Sequence, residues 1–164
     1  MAALRHIQYS AVERQLAAQA HAIAGARSVL YHGTRYTQSI LDSGILFRAP
    51  FGEKKVFLTR NAEVAAYWAI LQRDDDEGRG SILIFDRRSL ERRYKIIANP
   101  WPYWLTTRTF HDEAEEKIWD DVVDVRRHLI DFVFGPRNGR LPMPKKSIAR
   151  CRRPLTAKTG VRVP

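Results

Sequence analysis

Residues 29–46 read Val-Leu-Tyr-His-Gly-Thr-Arg-Tyr-Thr-Gln-Ser-Ile-Leu-Asp-Ser-Gly-Ile-Leu, a stretch that carries strand, turn and helix signals in close succession. Val29-Leu30-Tyr31 is an apolar run of strand length that stops at Gly33. Thr37 is a helix N-cap type, Ile40 and Leu41 follow, and Gly44 stands where a helix takes a left-handed terminal residue. Strand, turn, short helix, glycine stop and an apolar return at Ile45-Leu46 are expected. His32 falls at the end of the strand, where a side chain can face a ligand. Taken alone, a histidine there is more often a structural one, satisfied by a backbone carbonyl.

The preceding segment carries Ser10-Ala-Val-Glu13, the form of a capping box. Val12, Leu16, Ala20 and Ile23 then recur at near-helical spacing, which predicts an amphipathic helix over about 10–25. After residue 46 comes a polar loop broken by Pro50 and Gly52. Val56-Phe57-Leu58 reads as a short strand, and Thr59 or Asn61 caps a helix whose apolar face is Val64, Tyr67, Trp68 and Leu71. The run Asp74–Gly80 reads as a solvated turn, since it lacks the alternation of a calcium loop. Ile82–Phe85 and Leu129–Phe134 are strands, and Tyr94–Ile97 is a shorter one. Trp101-Pro-Tyr-Trp104 is an aromatic loop. The expected class is α+β, with an N-terminal helix and short flanking helices around a sheet.

The chain has 164 residues and a net charge of +10, but the charge is unevenly placed. Nine Lys or Arg and no acid lie in 137–164, which leaves nineteen bases against eighteen acids in the rest. The expected organisation is one domain over 1–135 and a basic, Pro- and Gly-rich tail over 136–164. Such a tail suits contact with a nucleic acid, or simply solubility. The single cysteine, Cys151, excludes an internal disulfide and a multi-cysteine zinc site. No apolar run is long enough to span a membrane and no secretory leader is evident, so an intracellular, cytoplasmic protein is expected.

Three separated features combine into a pattern. Tyr31-His32-Gly33-Thr34 with Ile40…Gly44-Ile45, then Val56-Phe57-Leu58-Thr59…Ala65-Ala66-Tyr67, then Glu116-Lys117-Ile118, resembles the ADP-ribosyltransferase superfamily, in the His-Tyr-Glu branch of the diphtheria-type toxins and poly-ADP-ribose polymerases. The resemblance covers about 29–134 and implies a split β-sheet core that takes NAD as co-substrate, with no metal. It implies that His32 bonds the adenosine ribose, that Gly33 and Thr34 lie beside the nicotinamide end, that Tyr67 stacks on the nicotinamide ring, and that Glu116 is the catalytic carboxylate. Glu116 is preferred to Glu115 because Glu116 shares a strand face with the aliphatic Ile118. Glu113-Ala114-Glu115 instead has the Glu-x-Glu spacing of the arginine-modifying branch. The regulatory domains of the polymerases are absent, so the expected activity is transfer of a single ADP-ribose to a protein or nucleic acid. Two alternatives stay open: an NAD-dependent RNA 2′-phosphotransferase, and a non-catalytic binding domain of the same fold. The identity of the acceptor, and a role as toxin, defence protein or phage effector, are not legible.

Overall fold

A computed structural model describes residues 9–71, 79–98 and 114–135. The expected turn at 74–80 (apart from its last two residues), the aromatic loop at 101–104 and the basic tail lie outside these residues.

The first helix, α1 (Ala11–Ala24), begins at the expected capping box: the Ser10 hydroxyl accepts from the Glu13 amide, and the Glu13 carboxylate accepts from the Ser10 amide. Gly25 ends it at φ +58°. Strand β1 (Val29–Thr34) follows, then α2 (Thr37–Ser43), which Gly44 stops in the left-handed conformation at φ +69°. Thr37 is not the cap that its residue type suggests. It sits inside the first turn, 2% exposed, with its hydroxyl against that of Ser81, and the N-cap position falls to Tyr36 without a side-chain bond. Tertiary burial of the hydroxyl has overridden local capping preference.

The chain continues through β2 (Ile45–Leu46), β3 (Val56–Thr59), α3 (Ala62–Ile70), β4 (Ser81–Asp86), α4 (Arg87–Glu91), β5 (Ile96–Ala98), β6 (Glu115–Ile118), β7 (Val122–Val123), α5 (Val125–His128) and β8 (Leu129–Phe134). Six strands form one antiparallel sheet in the order β5-β6-β3-β1-β4-β8, and β2 pairs with β7 in a small second sheet. The architecture is mixed α and β, as expected for α+β.

Two cores follow from the alternation of side chains across the large sheet. On one face Tyr31, Ile82 and Ile84 meet Leu16, Ala17 and Ala20 of α1 and the alanines of α3. On the other, Leu30, Leu58, Leu83, Phe85 and Ile118 pack under α2, α4 and α5. Of the face that its large residues suggest, α3 buries only Val64. Ala62, Ala65, Ala66 and Ala69 are buried with it, while Tyr67, Trp68 and Leu71 are only half-buried. The reason is close approach to the sheet. A Cβ on Gly33 would lie 1.9 Å from the Ala65 carbonyl oxygen, and one on Gly80 would lie 2.2 Å from that of Ala69. Only glycine on the strands and alanine on the helix leave room for such an approach.

The sheet is nearly two sheets. β3 pairs with β6 along its whole length, from Val56↔Ile118 to Thr59↔Glu115, and β1 pairs with β4 over six positions. Between the two halves, β1 and β3 share a single pair, Tyr31↔Thr59. Beyond it the strands part.

Candidate functional site

The parting of β1 from β3 opens a cleft of about 510 Å³, within the range of small-molecule sites. Its walls come from the ends of β1 and β3, from α3 and from the loop before β3. A continuous ladder would set Gly33 opposite Phe57. Instead the His32 ring takes that place: its Nδ1 lies 2.9 Å from the Phe57 carbonyl oxygen. A carbonyl only accepts, so Nδ1 carries the proton and the neutral ring presents a lone pair at Nε2. Nε2 has no hydrogen-bond partner among the described residues. Burial lowers the His32 pKa from its ordinary value, partly opposed by the bond to Phe57, so the neutral ring prevails near pH 7. Thus His32 is satisfied by a backbone carbonyl and also faces the cleft.

The other expected residues divide. Gly33 and Thr34 line the cleft with His32. The missing side chain of Gly33 is explained by its contact with α3. Thr34 is 7% exposed, and its hydroxyl accepts from the Tyr36 amide at 3.1 Å. Tyr67 is not among the lining residues; its neighbour Trp68 is, with the two rings edge-to-face at a centroid distance of 5.4 Å. Sequence periodicity places both on one face and does not rank them.

Glu116 and Glu115 are separated by strand parity. Glu116 pairs with Leu58 and shares its face with Ile118, so it points into the core beneath α4. Its side chain is 3% exposed, and one oxygen receives Arg87 at 2.6 Å and Arg60 at 3.2 Å. Glu115, opposite Thr59 on the α3 face, lines the cleft. The aliphatic partner at Ile118 therefore marks the buried face rather than the cleft face. The backbone helps to aim Glu115: Ala114, immediately before it, holds φ +46°, a conformation that costs an L residue about 1–2 kcal/mol. The Ala114 carbonyl is tied to the Arg60 amide at 3.1 Å.

Two cations also reach the cleft wall, and neither stands out in the sequence. Arg35 is anchored by the Ile70 carbonyl at 2.7 Å. Lys55 packs 3.7 Å above the Trp119 ring and 3.0 Å from the Glu53 carboxylate. Glu53 also receives Lys117 at 2.5 Å, and these two hydrogen bonds, Lys117 before Lys55, hold its carboxyl below the usual range. The cleft thus combines a hydrogen-bond acceptor at His32, a carboxylate at Glu115, a flat ring at Trp68 and cations at Arg35 and Lys55. Among the described residues no group of His, Cys, Asp or Glu is arranged to hold a metal ion, and no helix is long and apolar enough to cross a membrane. Comparison of the chain with protein-family models, with curated proteins and with solved structures finds no match.

Proposed function

We propose that this protein is an NAD-dependent mono-ADP-ribosyltransferase whose substrate site is the cleft between β1 and β3, and whose catalytic carboxylate is Glu115. The observation that carries the proposal is that His32, with its Nε2 acceptor, and the Glu115 carboxylate line one cleft, opened where β1 parts from β3. The split itself supports the resemblance to the ADP-ribosyltransferase core, whose residues at this point would be His32, Gly33 and Thr34.

The residues present suit the reaction. Nε2 of His32 accepts from a ribose hydroxyl. Arg35 and Lys55 supply positive charge for a diphosphate. Trp68, in place of Tyr67, offers the flat face on which a nicotinamide ring stacks. Glu115 accepts from the hydroxyl of the nicotinamide ribose and stabilises the positive charge that develops as the glycosidic bond breaks. That bond gives its electron pair to the departing nicotinamide. A nucleophile of the acceptor then bonds to the same ribose carbon and releases its proton to Glu115 or solvent. Glu116 has a different role, neutralising Arg87 and Arg60 behind the strand and so holding β6 in register.

The test is incubation with adenylate-labelled NAD and a cell lysate, comparing wild type with Glu115→Gln and Glu116→Gln. Glu115→Gln should lower labelling at least about 100-fold with NAD binding retained. Digestion of the product with protease or nuclease then identifies the acceptor as protein or nucleic acid. Labelling undiminished in Glu115→Gln, or no labelling by wild type, overturns the proposal.

A further inference from the structure

The near-neutral charge of residues 1–136 conceals a segregation that only the fold creates. Segments 86–95 and 124–128 hold seven bases and three acids. They are far apart in sequence, but α4 and α5 pack against each other over the core that buries Leu90 and Val125. The acids are spent locally. Asp86 caps α4 through the Ser89 amide at 2.7 Å, Glu91 pairs with Arg87 at 2.7 Å, and Asp124 pairs with Arg93 at 2.9 Å. Arg88, Arg92, Lys95, Arg126 and Arg127 are exposed and have no carboxylate partner among the described residues.

His128 reports the resulting field from within. It is 3% exposed, with Nδ1 2.8 Å from the Ser89 hydroxyl. Its pKa is lowered by burial first, then by Arg93 and Arg127 and, more weakly, Arg92, with Asp124 opposing. Arginines from two separate segments therefore converge on one point.

We infer that the α4–α5 surface binds the phosphodiester backbone of a nucleic acid. Four of these five cations are arginine, whose planar fork holds a phosphate through two parallel hydrogen bonds. An anionic membrane is the weaker fit. Among the described residues the exposed large apolar side chains, Tyr36, Phe47, Phe51, Trp119 and Phe134, all lie outside these two segments, so segments 86–95 and 124–128 themselves offer no large exposed apolar side chain to insert into lipid. The surface is distinct from the basic tail and from the cleft, and its test needs no NAD.

Binding of the full chain to short fluorescein-labelled single-stranded DNA, duplex DNA and RNA is followed by anisotropy over a series of salt concentrations. Arg92→Glu with Arg127→Glu should weaken binding at least about 10-fold and lower the slope of log affinity against log salt by about 2, one for each phosphate no longer neutralised. Arg14→Glu with Lys54→Glu makes the same change in net charge elsewhere and should change affinity less than about threefold. Arg92→Lys with Arg127→Lys keeps the charge, controls for folding, and should remain near wild type in slope. The three probes show which nucleic acid is preferred. Equal losses in the patch and control reversals overturn the inference, as does binding to anionic phospholipid vesicles in preference to all three probes.

Discussion

His32 donates from Nδ1 to the carbonyl oxygen of Phe57 at 2.9 Å, in the place where the β1–β3 ladder would otherwise continue. One side chain thus terminates a sheet contact and orients its second nitrogen into the space so created. If Nε2 accepts from a ribose hydroxyl, NAD affinity should be level at neutral pH and stay level through the ordinary histidine range, falling only at the lower pH where the buried ring of the folded protein takes up a proton and loses its lone pair. Calorimetric titration of NAD across this range checks it, and His32→Gln should bind more weakly but with the pH dependence gone.

The same histidine bears on stability, together with His128. Both have folded-state pKa values below the ordinary 6.5. The unfolded chain therefore takes up protons first as pH falls, and stability is lost below about 6.5 until the folded values are reached. Each histidine contributes at most about 1.4 kcal/mol per pH unit in that window. Denaturant unfolding of wild type and His32→Gln at several pH values should separate the two contributions.

The two neighbouring glutamates should separate by phenotype. Glu115→Gln should lose transfer and keep stability. Glu116→Ala should lose about 2 kcal/mol of stability, less than the 3–5 kcal/mol of a fully buried pair because Arg60 and Arg87 both reach solvent. Unfolding midpoints and labelling rates on the same preparations decide it. A Glu116 variant with full stability and no activity would return the catalytic role to that residue.

Trp68→Ala should weaken NAD binding by about 1–3 kcal/mol if the indole is the stacking face, a value taken from base–aromatic contacts. Tyr67→Phe should change it by less than about threefold. Quenching of tryptophan fluorescence on NAD addition offers an independent readout.

Gly33→Ala and Gly80→Ala should each cost about 3 kcal/mol or more, because the new methyl meets the backbone of α3, which cannot move aside as a side chain would. Gly25→Ala has open space around it and should cost only the backbone penalty of φ +58° with ψ −133°, outside the left-handed helical region, about 1–3 kcal/mol. Chemical denaturation of the three variants gives the ranking.

Much of this fold is legible in the chain itself, because the signals are local. The Ser10–Glu13 capping box, the Gly44 stop, the Asn61 cap and the apolar run at 82–85 act within a few residues, and each recurs in the structure. The pairing of β2 with β7 is not legible, since two residues at 45–46 and two at 122–123 carry no periodicity. The buried face of α3 escapes sequence reasoning for a related reason. Hydrophobic periodicity weights large residues, whereas this interface is built from alanine and glycine so that backbones can meet.

From the chain alone came the types of the longer elements, the near-neutral charge of residues 1–136 beside a basic C-terminal segment, and a first strand carrying His32; the strand runs on through Gly33 to Thr34, so His32 ends only the β1–β3 contact and not the strand expected to stop there. Tertiary structure alone decided which of two adjacent glutamates faces the cleft, because parity depends on which side of β6 the second core occupies. It also decided that Trp68 rather than Tyr67 lines that cleft, and that arginines more than thirty residues apart form one surface. Side-chain identity is written in the chain, but the direction in which a side chain points depends on what packs behind it.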